Sequence, residues 1–339
     1  LYQRDLNSYD EEAIIDNQQT DHNCMNCHSF RMHAPDDMLF HMRSTYGGTY
    51  VWTNGVLEKL DGKVSDAIQS LVYPYWHPSG DYVAFSTNQT KQMFHMKDKN
   101  RIEVFDMSSD VLVYDVKNHR VVTDSLLFSK QAFETFPSFS PDGKTLYFSS
   151  SVAQKMPIDY KKVKYNICSI SFDAETGRFG TQVDTLFSVE QTGKTGTFPR
   201  VSPDGKFLAF TEADYGNFTI WHKEADLCLI DLKTKEIKSL DALNSLEAES
   251  YHAWSSNGRW LVFASRRDDG LYSRPYIAYI DEEGTPHKAF VVPQASPDAY
   301  LDGLKSYNVP EFITGPVNLQ RKAVVEMAKH GQAEKVTAQ

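Results

Sequence analysis

Several things are scarce in this chain. No run approaches the roughly 18 consecutive apolar residues that a membrane-spanning helix needs, so no span is expected within it. Positive charge is in deficit: 35 Lys and Arg stand against 45 Asp and Glu, a net charge of −10. A nucleic-acid partner is therefore not expected, because a phosphate backbone selects basic surfaces. Three common catalytic signatures are missing: there is no Gly-x-Ser-x-Gly elbow, no Walker-type loop and no His-Glu-x-x-His. The scattered carboxylates Asp98, Asp106 and Asp115 suit strand ends and turns, so nothing supports a hydrolase. Cysteine is rare as well, with four in 339 residues. Only two are close together, and no second pair exists to complete a zinc site. The chain begins at Leu1, with no Met and no signal peptide, so a processed or truncated start is expected.

The two close cysteines belong to Cys24-Met25-Asn26-Cys27-His28. Cys-x-x-Cys-His is the pattern of covalent c-type haem attachment. Two thiols at this spacing can add across the two vinyl groups of one porphyrin, and the following imidazole can then reach the iron. The motif thus makes Cys24, Cys27 and His28 the candidate haem c residues, with His28 as iron ligand. Two other readings stay open, a plain disulfide and a metal site. A thioredoxin-like pair would need a surrounding βαβ pattern, which the sequence lacks. The candidates for a second iron ligand are His41, then Met42, His33 and Met32. Attachment of this kind happens outside the cytoplasm, so an exported, periplasmic or outer-membrane-associated protein is expected. Protein made without the attachment machinery would lack the group.

Apolar residues make up 41% of the chain and aromatics 13%, enough for a large core. From Met38 onward the sequence repeats. Tyr73–Phe85, Phe136–Phe148, Phe198–Phe210 and Tyr251–Phe263 align without gaps on Gly80, Gly143, Gly205 and Gly258. Each unit has an apolar strand, a Ser-Pro-Asp-Gly-like turn and a returning strand of β-branched and aromatic residues. Two further strands follow. A four-stranded unit cannot bury both faces alone, whereas units stacked about an axis can, which predicts an all-β propeller. A weaker copy around Gly48 brings the expected number of blades to five, with six as the alternative. Cys168 and Cys228 share one position with Leu112 and Ala278 in the repeats, so they are expected to be buried free thiols.

These four repeats resemble the TolB-type propeller blade, whose mark is the Ser-Pro-Asp-Gly turn. The resemblance covers about three quarters of the chain and implies fold, not function. Together with the Cys-x-x-Cys-His-Ser-Phe30 stretch and Met38-Leu39-Phe40-His41-Met42-Arg43, the chain is similar to a group of haem-motif TolB-like proteins of Bacteroidetes, a group named after cytochrome c biosynthesis. That likeness implies export, a haem and an upstream domain.

The expected layout is an arm over residues 1–36 carrying the motif, a propeller over 37–294, and a tail over 295–339 with a helix over 317–330. Three functions are compatible with it. The first is a monohaem electron-transfer protein serving a periplasmic redox or envelope partner. The second is a binding module for a protein, peptide or glycan, without redox chemistry. The third is a small-molecule oxidoreductase with an open haem site. The loops 89–109, 152–164, 213–225 and 266–274 vary in length on one face, which makes that face the expected functional side. They carry His95, Arg101, Tyr160, Trp221, His222 and Tyr272. Glu134, Thr197, Glu249 and His252 are expected at the strand entrances there.

Overall fold

Each repeat is pinned by the chemistry of its turn. In the third blade Gly143 N–H donates to the Ser140 carbonyl (2.9 Å), Ser140 Oγ donates to Asp142 Oδ1 (2.6 Å), and Lys144 N–H donates to the same carboxylate (3.1 Å). Gly143 takes φ +73°, a region open to glycine without penalty. The same bonds recur at Ser202–Asp204–Gly205 and Ser255–Asn257–Gly258. At the second blade His77 stands in for the first Ser, with its Nδ1 2.8 Å from Ser79 Oγ.

In the computed structural model, which describes residues 1–338, these turns join strands into five blades. The blades run from the inner strand outward. The second is Val72–Trp76, Tyr82–Phe94, Ile102–Asp115 and Arg120–Val122. The third is Ala132–Phe139, Thr145–Val152, Asn166–Asp173 and Arg178–Phe187. The fourth is Thr195–Val201, Phe207–Ala213, Asp226–Asp231 and Ile237–Ser239. The fifth is Glu249–Trp254, Trp260–Ser265, Arg274–Tyr279 and Phe290–Val291. Between neighbouring blades lie apolar layers such as Phe207, Leu229, Trp254 and Phe263. Cys168 and Cys228 are buried free thiols in two of these layers.

The first blade differs from expectation. It consists of Met25–Phe30, Met38–Met42, Gly48–Thr53 and Val56–Asp61. The haem-motif segment is thus its inner strand and not an arm: Met25 pairs with Met42 and Asn26 with His41. The boundary drawn at 36/37 falls between two paired strands, and Gly48 opens the third strand instead of ending the first turn. The reason is local. This blade has no Ser-Pro-Asp-Gly, and its first turn is built by Arg31 and Asp37: Arg31 N–H donates to the Asp37 carbonyl (3.0 Å) and its guanidinium grips the Asp37 carboxylate.

The two ends of the chain close the ring. Glu334–Lys335 adds a parallel strand to Val56–Asp61, and Thr337–Ala338 adds one to Arg120–Val122, so one tail staples blades one and two. Between blades five and one runs a strap from the tail: Phe312 packs on blade five, and the next residue, Ile313, on blade one. The helix is Arg321–His330, shorter than expected, because Val317 and Leu319 are buried from extended chain. Val324 and Ala328 face Met38, Phe40 and Trp52 with Ile14 and Ile15 of the N-terminal arm. No helix is long and apolar enough to cross a membrane.

Candidate functional site

All five inner strands break register at the same place. The shifts fall between Asn26 and Ser29, Val72 and Tyr75, Thr135 and Ser138, Thr197 and Arg200, and Ser250 and Ala253. In each bulge one non-glycine residue takes positive φ: Cys27 (53°), Tyr73 (50°), Phe136 (52°), Phe198 (59°) and Tyr251 (51°). Such a conformation costs on the order of 1–2 kcal/mol per residue, so the packing of the assembled ring must offset it five times. Four of these residues form an edge-to-face circle, with centroids 4.9 Å apart for Tyr73 and Phe136, 5.3 Å for Phe136 and Phe198, and 5.3 Å for Phe198 and Tyr251. Cys27 holds the fifth place, with the Tyr73 backbone within reach of its thiol. The layer plugs the channel. Burial pushes the Cys27 thiol up to about 11, so it stays protonated at neutral pH.

The residue after each bulge residue is Pro74, Pro137 or Pro199 in three blades, and a histidine, His28 or His252, in the other two. Both imidazoles line a pocket at the end of the channel where the Ser-Pro-Asp-Gly turns lie. The pocket's cavity volume is about 80 Å³, within about 840 Å³ of non-atom space that includes open solvent. Its walls are largely aromatic (Tyr75, Trp76, Phe139, Phe198, Trp254), and residues 309–311 of the strap cap it. Trp76 Nε1 donates to the Ser29 carbonyl (3.3 Å) and Trp254 Nε1 to that of Arg200 (3.0 Å), so each indole ties its inner strand to the preceding blade's.

The pocket's charge is decided by burial. His28 is held down at about 4, His252 at about 3, and His33 below its usual value, each chiefly by desolvation. Burial raises Glu311 to about 8, so its carboxyl is protonated at neutral pH. Glu311 Oε2 lies 3.6 Å from His28 Nε2, and Phe30 N–H donates to Oε1 (3.2 Å). The His28–Glu311 contact therefore joins two neutral groups. The cation is Arg200, whose guanidinium lies 4.0 Å from the Phe198 centroid and 5.1 Å from that of Tyr75. Its own hydrogen bond goes to the Pro199 carbonyl (2.8 Å), and among the described residues no carboxylate lies within salt-bridge distance of it. Burial lowers Arg200 to about 10, still charged at neutral pH.

The sequence-predicted haem residues are divided by this arrangement. His28, Met32 and His33 reach the pocket wall; Cys24 and Cys27 do not. Cys24 is exposed, while Cys27 is packed into the plug. A porphyrin bonded to both thiols with His28 on its iron needs all three groups at one cavity; in this conformation only His28 lines the pocket. His41 lies on the second strand with its Nδ1 3.2 Å from Thr49 Oγ1, outside the pocket, and Met42 is fully buried among the terminal segments. Among the described residues no three His, Cys, Asp or Glu side chains are grouped to hold a metal ion.

The opposite mouth, expected to be functional, is a closed lid. The hairpin of blade two crosses to the loop of blade four: Tyr215 OH donates to Glu103 Oε2 (2.7 Å), His222 Nε2 lies 2.9 Å from Glu103 Oε1, and Asn217 Nδ2 donates to Asp106 (2.7 Å). Those long loops are interlocked. His252 lies at the other end from the one expected. Arg200 was missed by sequence reading, although it is the one basic residue on this side of the four aligned bulges. His28 could have been placed by reading Cys27-His28-Ser29-Phe30 against Phe136-Pro137-Ser138-Phe139.

No family model matches the chain, and no curated protein does. Among solved structures, an oligogalacturonate lyase in complex with manganese is 13% identical, over 78% of this chain and 67% of that one, at a TM-score of 0.49. A puromycin-hydrolyzing peptidase of Mycobacterium tuberculosis is 14% identical, over 80% of this chain and 38% of that one, at 0.48. The Myceliophteria thermophila Cps50 (Swd1) β-propeller domain is 13% identical, over 76% and 65%, at 0.44. None of these three reaches 0.5, so the assignment of a five-bladed propeller rests on the chain's own sheets.

Proposed function

We propose that the chain is a recognition propeller whose turn-side mouth binds an anionic group carried on an apolar or aromatic body. The supporting observation is Arg200, a charged guanidinium in the pocket wall with no carboxylate partner. Desolvating such an ion costs several kcal/mol. Two aromatic faces return roughly 0.5–2 kcal/mol each. A bound carboxylate supplies the remainder, with a bidentate geometry that suits guanidinium. The aromatic walls take the body of the ligand. The test is titration with phenylacetate, followed by the fluorescence of Trp76 and Trp254. Saturable binding that Arg200→Met weakens at least about tenfold supports the reading; no binding to either protein removes it.

The Cys24-Met25-Asn26-Cys27-His28 motif favours a second reading, an exported monohaem protein with an envelope redox partner. In it Cys24 and Cys27 hold the porphyrin, His28 ligates the iron, and the group supplies one-electron chemistry when bound. Such bonds would have to form before Met25–Phe30 enters the sheet. Protein purified from its own envelope should then show a Soret band and the mass of a porphyrin adduct. The mass of the polypeptide alone would remove this reading.

A further inference from the structure

The pocket is already filled in part by a peptide, the chain's own strap. Residues 309–314 run past the end of the first inner strand without pairing to it, with Val309 at φ +51°. His33 Nδ1 donates to the Phe312 carbonyl (3.0 Å), and Thr314 N–H donates back to the His33 carbonyl (3.0 Å). Between these anchors and Tyr307, whose N–H donates to the Ser273 carbonyl (2.8 Å), Val309 and Pro310 close the mouth and Glu311 points its carboxyl inward. Val309 touches the aromatic plug and Phe312 covers blade five. The carboxyl engages Phe30 N–H and His28 but makes no bond to Arg200, the group best suited to receive it.

We propose that residues 309–314 occupy in cis the place of an external ligand, and that this ligand is a peptide bearing one carboxylate between apolar residues. This rests on the recognition reading above and names its substrate class. The strap shows the form of the occupant: backbone fastened to His33 just past the first inner strand, an apolar residue against the plug, an acid in the pocket. It is an imperfect occupant. Its carboxyl is held by Phe30 N–H and does not reach Arg200, whereas a peptide free to settle deeper places a carboxylate on the guanidinium. The strap is fastened at Tyr307 and Thr314, and an incoming peptide would replace the contacts that Val309 and Glu311 make between them.

The probe is a labelled synthetic peptide with the strap's own sequence, Asn-Val-Pro-Glu-Phe-Ile-Thr, titrated into the full chain by fluorescence anisotropy. Glu311→Ala removes the internal acid and should bind the peptide at least about tenfold tighter than wild type. Glu311→Gln, which keeps the shape of the neutral carboxyl, should stay as closed as wild type and controls for misfolding. A peptide with Gln in place of Glu should lose most of the gain, as should Arg200→Met in the Glu311→Ala background. Equal peptide affinity in wild type and Glu311→Ala overturns the inference. If phenylacetate still binds through Arg200 in that case, recognition stands and the strap is a fixed wall. If no acid binds any variant, both ideas fall.

Discussion

His28 and His252 occupy one structural position in two blades. Each follows a positive-φ bulge residue, and each stands where the remaining blades carry proline. A proline there leaves the pocket wall apolar and without a donor. The two imidazoles bring polar atoms to a mouth otherwise lined by rings and prolines, and Arg200 lies one residue beyond the equivalent Pro199. The polar groups of this mouth are thus concentrated on one stretch of its inner strands.

Cys27 and Cys24 should respond differently to mutation. Cys27 fills the fifth place of the aromatic plug, so Cys27→Ser puts a more strongly solvated hydroxyl into a buried site with only the Tyr73 backbone beside it. A loss of about 1–3 kcal/mol is expected in urea unfolding. Cys24 is exposed, and Cys24→Ser should stay within about 0.5 kcal/mol of wild type. Equal, large effects would instead suit a shared attachment role.

Stability should carry a pH signature from Glu311. Its carboxyl rises from 4.5 to about 8 on folding, so between those values the folded chain keeps a proton that the unfolded chain has lost. This contribution is full below about pH 4.5 and shrinks as pH climbs through 8. Glu134, also raised to about 8 by burial, adds a slope of the same sign. The Tm of wild type should therefore fall between pH 5 and 8 relative to that of Glu311→Gln, which keeps every other shifted group, among them Glu134 near 8 and Asp106 and Asp110 near 6. Parallel curves would show that Glu311 titrates normally.

The tail should prove to be a structural staple. Val336 is 1% exposed within the layer between blades one and two, and its neighbours extend both outer strands. Removing residues 331–339 should cost about 1.5–3 kcal/mol for the buried valine, and it bares two strand edges. A lower urea midpoint together with concentration-dependent association would show both effects.

The interlock at the opposite mouth should be sensitive to Glu103. It accepts from Tyr215 and contacts His222, whose side chain is fully buried. Glu103→Leu leaves the phenol and the imidazole without their partner. An unfolding loss of at least about 2 kcal/mol is expected, with phenylacetate binding at the far end unchanged once folded. Loss of binding in a well-folded variant would tie the two mouths together.

Much of this molecule could be read from residues. The gapless repeats and their turns were enough to predict a propeller, its five blades and the buried thiols Cys168 and Cys228, because local hydrogen bonds dictate a Ser-Pro-Asp-Gly reversal wherever it stands. The first blade was misplaced because Arg31 and Asp37 make its turn through a side-chain pair six residues apart, which has no repeat signature. The interlock at the long-loop face was not legible for a related reason. Loop length on that side was visible, but not that Glu103 would reach Tyr215 and His222 from another blade.

By itself, then, the order of amino acids determined the blades, since a turn and two facing strands are short-range matters. Closure of the ring decided everything else: that Cys27 points into a plug while His28 faces a pocket, that Arg200 lacks a counter-ion, and that Glu311 holds its proton. Those properties come from burial and from neighbours hundreds of residues away, and desolvation acts only on a group that the assembled fold has already enclosed.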